Sequence, residues 1–226
     1  MDGEGQMIAQ RARTDVHRGG YWHRVVNVWP VCAETYRVLL GQRAESKSVD
    51  PGKWTCVCGR VPSGESSLDA AAELLSSELS LVGPDLELVF TLRCSRRIPK
   101  GLFAGQMDNT IVDVYLFMLE AEVPVEQLHV DEASKQKVQY LAVDDLQSLL
   151  AAGDEAMVLP PHEEYGPRLL QHIRRLCGVR SAAVVATRAK ARARGAEEPG
   201  GSRDFTTVRA MPNLGVSCKA WRGASC

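Results

Sequence analysis

Runs of apolar and β-branched residues, separated by turn-forming residues, recur along much of the chain and predict the strands of a sheet. The first two runs, Arg24–Cys32 and Tyr36–Gln42, are joined by a predicted turn at Ala33–Thr35. An Asp-Pro-Gly turn within the predicted loop Ser46–Lys53 precedes the third run. The remaining predicted strands are Trp54–Cys58, Leu86–Leu92, Ile111–Ala121 and Val138–Val143, with a loop at Pro99–Asn109.

A helical period appears after Glu65. Apolar residues recur there at intervals of three and four positions, which indicates one face of a helix: Leu68, Ala71, Ala72, Leu75 and Leu79. Ser66 or Ser67 is the predicted N-cap of this helix. Two more helices are predicted, one capped by Asp144 and running to Ala152, the other at Glu163–Cys177 and ended by Gly178. This order of elements predicts an α/β fold, a mixed sheet with helices on both faces.

Composition and charge indicate how the chain is divided into a folded domain and flanking segments. Of the 226 residues 45% are hydrophobic and 24% charged, as in soluble globular proteins. Residues 180–226 hold nine basic and three acidic residues and few large apolar ones, which predicts a basic, mostly disordered tail. Residues 1–14 form a predicted flexible lead-in, which leaves a folded domain at 15–179.

The same features exclude several functional classes. The body of the chain outside the tail is acidic, so we expect no specific nucleic-acid partner. No apolar run reaches the roughly 18 residues that a membrane helix needs, and we expect no membrane association. Seven cysteines without a paired CxxC, and no apolar secretion signal, predict free thiols and a cytoplasmic location. The sequence gives no oligomeric state.

The loop and helix at Gly59–Leu81 carry the candidate chemistry. Magnesium sites that act on diphosphates need carboxylates on a rigid element, and a loop-to-helix junction supplies one. Asp69 and Glu73 fall on the predicted solvent face of the helix. Glu78 falls on the shoulder of the buried face, so we expect its carboxylate to need a partner or a cation.

This segment resembles the signature of the Nudix superfamily, G-x5-E-x7-R-E-U-x-E-E-x-G-U, where U is aliphatic. The matching residues are Gly59, Glu65, Leu75, Glu78 and Leu81. The departures are Glu73 for the Arg, Leu74 and Ser77 for two Glu, and Ser80 for the late Gly. Two of the three helix carboxylates that the resemblance implies as metal ligands are therefore absent.

The flanking residues resemble the isopentenyl-diphosphate-isomerase-like branch of that superfamily. The segments that carry this resemblance are Asp15–Arg24, Gln42-Arg43-x3-Lys47, Pro51-Gly52-x-Trp54, Asp108-Asn109-Thr110, Val112–Leu116 and Glu164–Gly166. Together they extend roughly over residues 5–176. The resemblance implies an α/β/α sandwich with a mixed sheet, in agreement with the predicted order of elements.

The resemblance also implies roles for eight residues. The implied catalytic residues are Glu78, Glu65 and Cys58. The implied grip on a substrate diphosphate is Arg43 with Lys47. The implied metal ligands, for Mg²⁺ or Mn²⁺, are Glu78, Glu65, Asp108, His17 and His23. The implied partner is a small-molecule diphosphate.

Two departures bear on the reaction. Arg60 stands where the branch has a third metal-binding His, and a guanidinium cannot ligate a metal. Thr110 stands where isomerases have a catalytic Glu.

Three hypotheses remain open. The first is Mg²⁺-dependent hydrolysis of a diphosphate-linked small molecule by a Nudix hydrolase-like protein. The second is a degenerate Nudix domain that binds a diphosphate or a protein partner without chemistry. The third is an altered isopentenyl-diphosphate isomerase activity. A structural role is the alternative for each residue: His17 and His23 in a loop-to-strand entry, Arg43 and Lys47 on a solvated face, Cys58 in the core.

Overall fold

The computed structural model describes residues 9–178 except 129 and 132. Its seven strands form one mixed sheet. They are β1 (His23–Cys32), β2 (Arg37–Arg43), β3 (Trp54–Thr55), β4 (Val57–Arg60), β5 (Leu86–Arg97), β6 (Met107–Leu119) and β7 (Lys135–Ala142). The predicted tail at 180–226 and the first eight residues of the predicted lead-in lie outside the described residues.

Strand β1 lies at the centre of the sheet. It pairs in parallel with β6 along its whole length, from His23 opposite Thr110 to Cys32 opposite Leu119. On its other side the first part of β1 pairs with β4 and only its last two residues pair with β2. This change of partner brings β4 and the far end of β2 close together. Neighbouring strands follow the order β3-β2-β1-β6-β5 across the sheet, and β7 pairs with β2.

Helices cover both faces of the sheet. They are α1 (Arg13–Gly19), α2 (Ser67–Leu79), α3 (Val143–Ala152) and a fourth helix, α4, at 165–178. Successive side chains of β1 point to opposite faces of the sheet. Val26 and Val28 pack with α2, whereas Trp29 packs with α4 around Tyr165. The predicted α/β/α sandwich with a mixed sheet is confirmed.

Several local predictions were wrong. The sequence pattern did not predict α1, which includes two residues of the predicted lead-in. The predicted strand Trp54–Cys58 is broken at Cys56 into β3 and β4, and Leu68 of the predicted buried helix face is 49% exposed. Helix α3 has Ala142, not Asp144, at its N-cap.

Strands β5 and β6 form a longer hairpin than predicted, so their connecting loop spans only 98–106. The N-cap of α2 is Ser66, as expected, because its hydroxyl accepts a hydrogen bond from the amide of Asp69. Among the described residues, no helix is long and apolar enough to cross a membrane.

Candidate functional site

A cavity of about 1000 Å³ is lined by all eight residues that the sequence predicts for the site. These residues come from α1, β1, β2, β4, α2, β6 and the loops between them: His17, His23, Arg43, Lys47, Cys58, Glu65, Glu78 and Asp108. The cavity therefore unites residues that lie far apart in sequence. Within it they form separate groups, which differ in burial and charge.

The first group is the His–Asp cluster, formed by His17, His23 and Asp108. Its potential ligand atoms all lie within 4.8 Å of one another. Oδ1 of Asp108 is 3.4 Å from Nδ1 of His17 and 3.7 Å from Nε2 of His23. Helix α1 brings His17 to the sheet, because Asn109 donates a hydrogen bond to the carbonyl of Gly20 at the helix end.

The orphaned atoms of the cluster fit a divalent metal ion. Within the described part of the chain, Nδ1 of His17 and Oδ1 of Asp108 are buried without a hydrogen-bond partner. Nδ1 of His23 is 3.2 Å from the carbonyl of Tyr21. That contact makes Nδ1 the donor and leaves the lone pair of Nε2 facing Asp108. Two imidazoles with one carboxylate favour a transition-metal ion over Mg²⁺.

The charges of the cluster also suit metal binding. Burial raises the pKa of Asp108, but the adjacent imidazoles of His17 and His23 and the charge of Arg96 outweigh it and hold the pKa below its ordinary value. Burial lowers the pKa of His23 below 6.5. At neutral pH the carboxylate is thus ionised and the imidazole neutral, as ligation requires.

Arg96 connects the His–Asp cluster to the loop between β2 and β3. Its Nη2 is 2.6 Å from Oδ2 of Asp50, and its Nε is 3.6 Å from Oδ2 of Asp108. Asp50 is only 2% exposed and has a left-handed backbone, with φ at 47°. Sequence reasoning did not identify either residue.

The second group is a cationic wall formed by Arg43 and Lys47 beside Cys58. Arg43 donates hydrogen bonds to the carbonyls of Val49 and Asp50, and its Nη1 lies 3.3 Å from Sγ of Cys58. Arg43 therefore shapes the loop as well as charging the cavity. Burial lowers the pKa of Lys47, and the field of Glu78 partly opposes this.

The third group surrounds Glu78 on the inner face of α2. Its Oε2 is 3.2 Å from Nζ of Lys135, a lysine that is only 3% exposed. Its Oε1 accepts a short hydrogen bond from the hydroxyl of Ser134. The expectation that Glu78 needs a partner is confirmed. Its partners are Lys135, the first residue of β7, and Ser134 just before it, neither of which the sequence analysis identified.

Glu65 stands apart from the other acids. Its side chain is exposed on the loop before α2, at the cavity lining. It does not belong to the His–Asp cluster as the described residues define it. The five predicted metal ligands therefore do not lie together: three form the His–Asp cluster, while Glu78 and Glu65 each lie apart from it. Their roles stay predictions.

Comparisons with known proteins agree with the fold described above. The NUDIX domain model matches residues 21–160. Nudix hydrolase 3 of Arabidopsis thaliana is 30% identical over 179 residues, which cover 76% of this chain and 22% of that protein. Isopentenyl-diphosphate Delta-isomerase of Serratia proteamaculans (strain 568) is 30% identical over 116 residues, or 51% of this chain and 64% of that protein.

This chain spans less than two thirds of the length of each of these two curated relatives. Among solved structures, DR0079 of Deinococcus radiodurans superimposes with a TM-score of 0.51 at 20% identity, covering 77% of this chain and 94% of that chain. That likeness supports the fold alone.

Proposed function

The chain belongs to the NUDIX family, and on that premise we propose that it is a divalent-metal-dependent hydrolase of a diphosphate-linked small molecule. The observation that carries the proposal is the shared cavity. Its lining combines a ligand set that fits a metal ion with the cations Arg43 and Lys47, which fit a diphosphate.

His17, His23 and Asp108 would hold the metal ion. A divalent ion bound there supplies Lewis-acid polarisation of a phosphoryl oxygen and a more acidic bound water. Of the two ions that the family resemblance implies, we propose Mn²⁺ rather than Mg²⁺ at this cluster, because two of its three donors are imidazole nitrogens.

The other residues of the cavity bind and orient the substrate. Lys47 neutralises the diphosphate, and Arg43 fixes the loop that carries Lys47. The exposed carboxylate of Glu65 is assigned as acceptor of the proton of the attacking water. Cys58 contacts Arg43 and forms part of the wall, with no covalent role in hydrolysis.

The test is an incubation in D₂O with Mn²⁺ or Mg²⁺ and a panel of nucleoside diphosphate sugars, dinucleotides, nucleoside triphosphates and isopentenyl diphosphate. We expect cleavage at a diphosphate, lost in Asp108→Asn and kept in Asp145→Asn, a matched change at an exposed position of α3. No cleavage of any compound by folded protein would refute hydrolysis. Deuterium uptake by isopentenyl diphosphate without cleavage would support isomerisation instead.

A second candidate function is diphosphate binding without turnover. The observation that favours it is the incomplete Nudix helix, with Leu74 and Ser77 at two acid positions and Glu78 paired with Lys135. Calorimetric binding of a panel compound that stays intact for hours with metal would support this candidate.

A cytoplasmic location also remains part of the proposal. The five cysteines in the described part of the chain are free thiols, which supports a reducing compartment.

A further inference from the structure

Lys135 is a buried lysine for which sequence analysis assigned no role. Its side chain is 3% exposed, and its Nζ lies 3.2 Å from Oε2 of Glu78 and 3.5 Å from the carbonyl of Cys56. Lysine is almost never buried to this degree unless its charge is paired. Glu78 therefore compensates the ammonium, and the pair lines the candidate site.

The fold is shaped to hold this lysine. Lys135 crosses β2 at Gly41, where any Cβ would overlap its Cδ and Cε atoms. The adjacent Ser134 occupies the other oxygen of Glu78. The amide of Lys135 bonds to the carbonyl of Asp131, which fixes the chain where β7 begins. The position of the ammonium is thus determined by the backbone and by two polar neighbours.

The same geometry does not fit a metal ion on α2. Of the acids on α2 only Glu78 lines the cavity, because Asp69 and Glu73 are exposed outside it. The two other acid positions of the Nudix signature hold Leu74 and Ser77. Oε1 of Glu78 accepts a hydrogen bond from the hydroxyl of Ser134, and Oε2, which has no hydrogen bond, forms an ion pair with the ammonium of Lys135. A Mg²⁺ ion there would have to displace a positive charge that cannot reach solvent without repacking.

We propose that the ammonium of Lys135 replaces the metal ion of the Nudix helix and binds a diphosphate oxygen together with Lys47. An ammonium has three donors. One donor bonds the carbonyl of Cys56, and Glu78 lies at ion-pair distance without a hydrogen bond, which leaves donors for the cavity that Lys135 lines. The metal ion is then confined to the His–Asp cluster. This inference rests on the proposed diphosphate site, and it separates the chain from hydrolases that hold their metal on this helix.

The first test counts metal ions and needs no turnover. We expect dialysis against Mn²⁺, followed by metal analysis, to give one ion per wild-type chain. The count should be unchanged in Glu78→Gln and lost in Asp108→Asn. A lower count in Glu78→Gln would overturn the proposal, since Glu78 would then hold a metal. Loss of the ion in neither variant would overturn the statement that the metal ion is confined to the His–Asp cluster.

The second test measures binding of inorganic pyrophosphate by calorimetry in excess EDTA. Removal of Lys135 alone leaves a buried carboxylate unpaired and endangers folding, so the informative comparison is Glu78→Gln against Glu78→Gln/Lys135→Met. We expect the second variant to bind on the order of ten-fold more weakly, because it lacks a charge-assisted hydrogen bond. Lys137→Met, at an exposed position of the same strand, is the control and should match the wild type.

Equal affinity of the two Glu78 variants would overturn the assignment of Lys135. Pyrophosphate binding that appears only after Mg²⁺ is added, in the wild type as in both variants, would also overturn it. Binding in EDTA combined with no hydrolysis of any compound would support Lys135 while refuting the proposed hydrolase.

Discussion

The hydroxyl of Tyr165 joins α4 to the central strand below the cavity, and its removal gives a direct test of the fold. Nδ2 of Asn27 donates to this oxygen at 2.9 Å, and Nε1 of Trp29 donates at 3.0 Å. Tyr165 is 1% exposed and Trp29 fully buried. The change Tyr165→Phe removes the shared acceptor and adds no bulk.

The expected loss follows from two buried donors that become unsatisfied together. Each such donor costs about 1–3 kcal/mol. The free energy of unfolding should therefore fall by about 2–6 kcal/mol, a large share of the roughly 5–15 kcal/mol typical of a domain. Asn27 also lines the cavity, so its side chain should lose its fixed orientation there.

Urea unfolding followed by tryptophan fluorescence measures this loss. Tyr21→Phe is the matched control, because it removes the same hydroxyl from a side chain that is 38% exposed. We expect the control to stay within about 0.5 kcal/mol of the wild type, as surface substitutions usually do. A loss below about 1 kcal/mol in Tyr165→Phe would refute the claim that both donors depend on this hydroxyl.

Three further predictions address other contacts. Gly41→Ala should cost about 1–3 kcal/mol of unfolding free energy in urea, since its Cβ overlaps Lys135, and equal stability would contradict that packing. Burial, with nearby Arg charges, lowers the pKa of His172 below 6.5, so its contribution to stability is complete above that pH and declines as the pH falls through the folded-state pKa. Thermal melts of His172→Gln should accordingly lose less between pH 7 and pH 5 than wild-type melts, and parallel losses would contradict the shift. Asn109→Ala should weaken Mn²⁺ binding about ten-fold by releasing α1, and an unchanged dialysis titration would show that the Asn109 contact does not position His17.

Periodicity predicted most of the sheet and its helices because burial on one or two faces leaves a regular apolar pattern. The predicted start of strand β1, for example, lies one residue from the observed start. Helix α1 escaped detection because it is short and buries only His17, which no apolar repeat marks. The break at Cys56 was not predictable either, because it depends on strand pairing: β3 pairs with β2, whereas β4 pairs with β1.

The parts of the candidate site that could be predicted are those marked by a sequence motif or by a position on a helix. The family resemblance supplied eight residues that share one cavity, and the shoulder position of Glu78 indicated that it required a partner. The identity of that partner was not predictable, because Lys135 reaches Glu78 only through the register between β7 and β2. A lysine at the start of a strand ordinarily lies in solvent, and only Gly41 permits this one to turn inward.

The contact between Gly41 and Lys135 constrains the order in which the two positions can change during evolution. A side chain at position 41 is accommodated only after the lysine has been replaced by something shorter. The reverse order passes through an overpacked intermediate. The glycine and the lysine therefore form a coupled pair, in which a change at position 135 has to precede any side chain at position 41.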